Sequence, residues 1–304
     1  MQGFSPFFSH LSYIMGKKIT DSVATFCSEL GTSLKSMLKI IMLSHKCDIR
    51  PGNGNSDRSL IIMGNGPSLA DNIKNDLAIL QNTPTMAVNF AANADEFTLL
   101  KPDYYLLADP HFFEGRRSDP NVEKMFERFN NEVDWEMTLF VPAKYSAKAI
   151  GITNQRISVK HFNPVGVEGF GVLERAAFSS GRGMPRPRNV LIPAIMTAML
   201  LGYKEIYILG ADHSWIKTLD VNSDNEVVSV QPHFYKDNNE EQRRVTSVYK
   251  NVKLHEILLS FHLAFKSYHT ISRYAASRGI DIYNSTPGSY IDAFRRKPLP
   301  GKQR

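Results

Sequence analysis

The stretch LIIMGNGPSL (residues 60–69) decides how the rest of the chain is read. Four apolar residues, Leu60 to Met63, show no helical period and break into Gly64-Asn65-Gly66-Pro67-Ser68, after which the pattern turns amphipathic. A short apolar run closed by such a break is a buried strand followed by a turn into a helix. Gly64 and Gly66 allow close backbone approach, Pro67 suits a first helical turn, and Ser68 or Asn65 can cap free amides. A corner of this kind offers backbone N–H groups and a positive helix end to an anion. It contains neither GxGxxG nor GK[ST], so it is not the dinucleotide fingerprint or a Walker A loop, and a plain tight turn explains it equally well.

Working outward, short apolar runs alternate with helical patterns. Strands are predicted at residues 60–63, 85–89, 104–108, 138–141, 157–162, 205–209 and 280–283, and helices near 70–80, 121–129, 190–201 and 248–277. This alternation predicts an α/β, Rossmann-like, mostly parallel sheet with helices on both faces, whose ligand crevice lies at the carboxyl ends of the strands. Asn89 ends the second predicted strand and Asp109 follows the third. Asn supplies a donor and an acceptor and Asp supplies acceptors, enough to read a base edge or a ribose diol, although each also suits a turn.

The segment at residues 179–215, SSGRGMPRPRNVLIPAIMTAMLLGYKEIYILGADHSW, runs from an Arg-rich loop into a helix, then a strand, then Asp212 and His213. Arg182, Arg186 and Arg188 ahead of a helix capped by Asn189 suit a pyrophosphate or carboxylate, since guanidinium forks bind such anions bidentately. A solvated basic loop is the competing reading.

Ahead of the sheet, residues 20–43 place Val23, Phe26, Leu30, Leu34, Met37, Leu38 and Ile41 on one helical face, with Lys35, Lys39 and Lys46 near its end. Two readings stand: a helix packed on the main domain by that face, or a basic amphipathic segment, spanning residues 20–46, on anionic lipid. Residues 47–59 read as a linker. The expected division is therefore an N-terminal extension and linker at residues 1–58 and a single domain at 59–304, with a polar lid at about 213–245.

The 304 residues carry a net charge of +6, which favours anionic partners without choosing among them. Cys27 and Cys47 lack metal-type spacing, no apolar run reaches the roughly 18 residues of a membrane span, and the start lacks signal-peptide features, so a cytoplasmic setting is expected. Nucleic acid is not an expected partner, because the basic residues are not interleaved with aromatics in a recognisable module. Oligomeric state is left open.

LIIMGNGPSL, the Asn closing the second strand, the Asp-Pro after the third and LGYKEIYILGAD together resemble the bacterial family 42 sialyltransferases and the related domain of Maf-type flagellin glycosyltransferases. The wider group extends toward pterin diphosphokinase-like domains. The similarity spans roughly residues 59–294. It implies inverting, metal-independent transfer of a nonulosonic acid or a Kdo-like sugar from a CMP donor to a glycan or lipid-linked acceptor, possible at the inner membrane face, with no cofactor beyond the donor. By that likeness Gly64, Asn65, Gly66 and Ser68 embrace the CMP phosphate and ribose, and Asn89 helps hold the nucleotide. Asp109 stands where the sialyltransferases have Asn. Asn189-Val190-Leu191 replaces their Thr-Ser-Gly, with Arg188 as compensation for the lost hydroxyls.

The chemistry asks for a base, and a neutral His suits it near pH 7. His233, in the polar segment VQPHFYKDNN, is the first candidate, with Tyr235 beside it to hydrogen-bond the leaving phosphate. His213 directly after a strand could touch ligand or orient Asp212, and His262 lies within a helical pattern. Closure of the lid would exclude water. Two alternatives remain: an Mg²⁺-dependent diphosphokinase-like transfer from ATP, with Asp109 and Asp212 as carboxylate ligands, and a nucleotide-binding scaffold without chemistry.

Overall fold

The computed structural model describes residues 6–49, 55–114, 119–146, 150–228 and 252–301, with side chains from residue 22 onward. Its centre is an eight-stranded sheet built from β1 (Ser59–Met63), β2 (Thr85–Val88), β3 (Tyr104–Leu106), β4 (Met137–Pro142), β5 (Ile157–Phe162), β6 (Glu205–Leu209), β9 (Asp281–Asn284) and β10 (Arg295–Arg296). The order is β10-β9-β6-β1-β2-β3-β4-β5, and all paired neighbours run parallel. A small antiparallel pair, β7 (Asp220–Val221) and β8 (Val227–Val228), stands apart.

The central strands β1, β2 and β6 are apolar almost throughout because both of their faces are covered. Leu60 and Ile62 of β1 point into a core shared with α7 (Leu191–Leu200) and α8 (Leu254–Ser277), through residues such as Ile195 and Ile271. Ile61 and Met63 point into the opposite core, shared with α2 (Leu69–Asn82) and α5 (Pro120–Glu132), through Ile73 and Phe126. The fold is thus α/β with a mostly parallel, Rossmann-like sheet, as the alternation predicts. Short helices α3 (Phe97–Leu100) and α4 (His111–Glu114), helix α6 (Gly171–Ser179) and the two-residue β10 are additions to it. The last helix starts at Leu254, later than its apolar period suggests.

From β1 the chain winds outward to β5, then returns through α6 and α7 to lay β6 against the other side of β1. The carboxyl ends of β1 and β6 are therefore the point where winding reverses, which in open α/β sheets leaves a crevice.

Helix α1 (Pro6–Leu43) corrects the core-packing reading of its apolar face. It does pack on the sheet domain, but through serines: Ser33 and Ser36 are 5% and 3% exposed, whereas Ile41 is 75% exposed and Val23, Phe26, Leu30, Leu34, Met37 and Leu38 also face outward. The physical reason lies in the loop after β5. Ser36 Oγ donates to the Glu168 carbonyl at 2.7 Å and accepts from the Glu168 N–H at 3.0 Å, and Ser33 Oγ accepts from the Phe170 N–H at 2.9 Å. Gly169, at φ +130°, lets the backbones meet: a Cβ there would lie 2.2 Å from Ser33 Oγ. Among the described residues no helix is long and apolar enough to cross a membrane.

Candidate functional site

The β1 turn and the β6 turn are sewn together. Gly64 N–H donates to the Leu209 carbonyl at 2.8 Å and Gly66 N–H to the Gly210 carbonyl at 2.7 Å. A Cβ on Gly64 would fall 2.6 Å from the Gly210 oxygen, and one on Gly66 would fall 2.0 Å from Asp212 Oδ2. Gly210 itself adopts φ +58°. The glycines thus serve close approach of the two turns. This corrects the expectation that the amides of Gly64 and Gly66 face an anion, because β6 carbonyls already occupy them. Ser68, expected as a cap or phosphate contact, instead donates its Oγ to Asp212 Oδ2 at 2.8 Å and makes no side-chain cap.

Asn65 leans toward β2, donating Nδ2 to the Val88 carbonyl at 3.1 Å, while its Oδ1 is buried with no partner. The next residue in β2's direction is Asn89, which leaves the strand at φ +51°, a left-handed conformation that Asn tolerates better than most residues. Its Oδ1 is also buried without a partner. The turn is fixed from below: the buried Tyr105 hydroxyl donates to the Asn89 carbonyl and accepts from the Ala92 N–H, and Arg128 Nη1 donates to the Ala94 carbonyl at 2.7 Å.

A second network joins the start of α7 to the turn after β6 and to α8. Tyr268 Oη donates to Asn189 Oδ1 at 2.9 Å, and Asn189 Oδ1 also accepts the Leu191 N–H at 3.1 Å, holding the start of α7. With its proton given to Asn189, Tyr268 accepts from His213 Nε2 at 2.8 Å. His213 is therefore the neutral Nε2–H tautomer, and burial drops its pKa to about 4. It lies against Trp215, Phe265 and Tyr268, with φ +53°. Asn189 Nδ2 is buried with no partner. Sequence reading did not find Tyr268, because a mid-helix Tyr in an apolar pattern is indistinguishable from a core aromatic.

The remaining candidates fall elsewhere. Asp109 is exposed and its Oδ1 accepts the His111 N–H at 2.9 Å, a capping role at the start of α4. Arg186 is paired with Glu168, which also binds Lys266, so it is not free for a ligand; Arg188 is exposed and its side chain has no pairing among the described residues. His262 is exposed on α8 and His269 pairs with Asp292 at 3.1 Å. Asn284 and Thr286 are buried and internally bonded, with Thr286 Oγ1 accepting the Ala211 N–H at 3.1 Å, so they brace the β6 turn. His233, Tyr235 and most of the expected lid lie outside the described residues.

β6 and β3 are separated by β1 and β2, which puts the strand ends leading to Asp212 and Asp109 roughly 14 Å apart at the usual interstrand spacing. One Mg²⁺ requires its ligand oxygens within about 4 Å of one another. Among the described residues no group of three or more His, Cys, Asp or Glu is arranged to hold a metal.

No protein-family model matches the chain, and no curated protein matches it. Among solved structures, 99% of the chain superposes on the MAf glycosyltransferase from Magnetospirillum magneticum AMB-1, at 13% identity and a TM-score of 0.48. The chain spans 43% of that protein's length, and at such distance residue roles do not transfer.

Proposed function

We propose that the chain is a nucleotide-sugar-dependent glycosyltransferase, with the donor nucleotide lying over the β1, β2 and β6 ends and against Asn189. The observation that carries this reading is that three of the five buried, partnerless side-chain amide atoms among the described residues, Asn65 Oδ1, Asn89 Oδ1 and Asn189 Nδ2, directly follow β1 and β2 or directly precede α7; Asn72 Oδ1 and Asn93 Oδ1 are the other two. Leaving a buried polar atom unpaired costs about 1–3 kcal/mol each, a burden expected where a ligand completes the bonds. Two acceptors and one donor match a ribose diol or a base edge better than a bare anion.

The finer identity rests on the sequence resemblance: a CMP-activated nonulosonic acid or Kdo-like sugar as donor, a surface-glycan or lipid-linked acceptor, and inversion without a divalent ion. Departure of CMP concentrates negative charge on its phosphate, which the exposed Arg188 would offset at the crevice mouth. His213 is a poor base at neutral pH, because its burial disfavours the imidazolium and its Nε2–H is committed to Tyr268. Its role is to position Asn189 through Tyr268. We assign proton abstraction from the acceptor hydroxyl to His233, with Tyr235 as a phosphate partner.

The test is a thermal-shift series on the full chain with CMP, ATP and ATP plus Mg²⁺. At a hundredfold excess over Kd, a ligand adds about 2.7 kcal/mol to stability. CMP is expected to raise Tm without Mg²⁺; stabilisation by ATP only with Mg²⁺, and none by CMP, overturns the reading.

A further inference from the structure

We infer that α1 is an interfacial helix that seats the protein on anionic lipid, independently of what the crevice binds. Val23, Leu30, Leu34, Met37, Leu38 and Ile41 form an exposed apolar ridge on one face, extending roughly 27 Å at about 1.5 Å rise per residue. A large exposed apolar stripe on a globular chain marks an interaction surface. The ridge does not arise from a loosely placed helix. Ser33 and Ser36 are bonded into the Glu168–Phe170 loop, which fixes the neighbouring face inward and the ridge outward.

Charge selects the occupant. From Val23 to Lys46 the segment carries Lys35, Lys39 and Lys46 against a single acidic residue, Glu29. Basic side chains beside an apolar face suit a surface carrying acidic headgroups, and each lysine near such a surface contributes about fivefold in affinity. A second copy of the chain fits less well. The ridge includes Leu38 beside the residues spaced four and three apart, wider than a two-position coiled-coil seam.

The experiment is co-sedimentation of the full chain with phosphatidylcholine vesicles, alone or containing about one third phosphatidylglycerol, alongside light scattering on a sizing column. Two double variants accompany it, Leu34→Glu with Ile41→Glu and Lys35→Glu with Lys39→Glu; the four altered residues are not in the core, so Tm should be unchanged. The expected result is a monomer that binds the phosphatidylglycerol vesicles about tenfold or more tightly than phosphatidylcholine alone, with both variants weakened at least about tenfold. No vesicle binding by the unaltered chain, or unchanged binding by both variants, overturns the inference. So does a dimer that Leu34→Glu with Ile41→Glu converts to monomer, which would make a second copy the occupant.

Discussion

Ser68 Oγ donates to Asp212 Oδ2 across 2.8 Å, tying the turn after β1 to the turn after β6 at the point where the sheet's winding reverses. That bond forms only because Gly66 leaves the space beside it empty. In Gly66→Ala the new methyl would sit 2.0 Å from the carboxylate oxygen and 2.6 Å from the Gly210 carbonyl, and the backbone contact cannot be relieved by a side-chain rotation. The variant should lose about 2–3 kcal/mol in urea unfolding, the range of overpacking, whereas Ser68→Ala should lose only about 1 kcal/mol. Equal losses in the two would contradict this account of the junction.

His213 makes stability depend on pH. Its pKa falls from 6.5 to about 4 on folding, because burial opposes the charged form. The unfolded chain therefore binds more protons in that window. The contribution is complete above pH 6.5 and is lost as pH falls toward 4, by about 3 kcal/mol for a single fully shifted site. Chemical unfolding measured across this range should show the decline, and His213→Gln, which keeps a donor for Tyr268 but does not titrate, should flatten that part of the profile. A slope unchanged in His213→Gln would assign the titration to another group.

Tyr268→Phe removes the hydroxyl that accepts from His213 and donates to Asn189. The His213 N–H is then left buried without an acceptor, and unfolding free energy should fall by about 1–3 kcal/mol. Nucleotide affinity should fall too, since Asn189 loses one of the two bonds that orient it. A stable variant with unaltered affinity would separate this network from the site.

Asn89→Gly is the gentlest probe of the crevice. Glycine accepts the φ of +51° without penalty, and the lost Oδ1 had no protein partner, so stability should change by less than about 1 kcal/mol. Nucleotide binding should weaken about tenfold, the worth of one good hydrogen bond. Fluorescence or calorimetric titration reads the difference.

The central strands were legible from short apolar runs because a strand buried on both faces needs no alternation, and β6 begins and ends where its run does; the edge strand β5, ISVKHF, also keeps its predicted bounds although four of its six residues are not buried. The second strand stops one residue before its predicted end, since Asn89 turns left-handed there. Helix α6 escaped notice at nine residues, too short for a clear period, and β10 is two residues on an edge. At the site, the residue types after β1, β2 and β6 were legible and their partners were not. That the Gly64 and Gly66 amides bond to the residues closing β6, and that Ser68 reaches Asp212 rather than an anion, follows from two strands 146 residues apart in sequence becoming neighbours. The apolar period of α1 announced an amphipathic helix but not which face would dock, because two serine hydroxyls bonded to a loop outweigh a pattern.

The most direct test of the central claim is calorimetric titration of CMP, without divalent ions, into the unaltered chain and into Asn65→Ala, Asn89→Gly and Asn189→Ala. One binding site per chain is expected, weakened about tenfold in each variant while Tm of the free proteins stays within a few degrees. Absence of CMP binding, or CMP binding that all three variants retain undiminished, would contradict it.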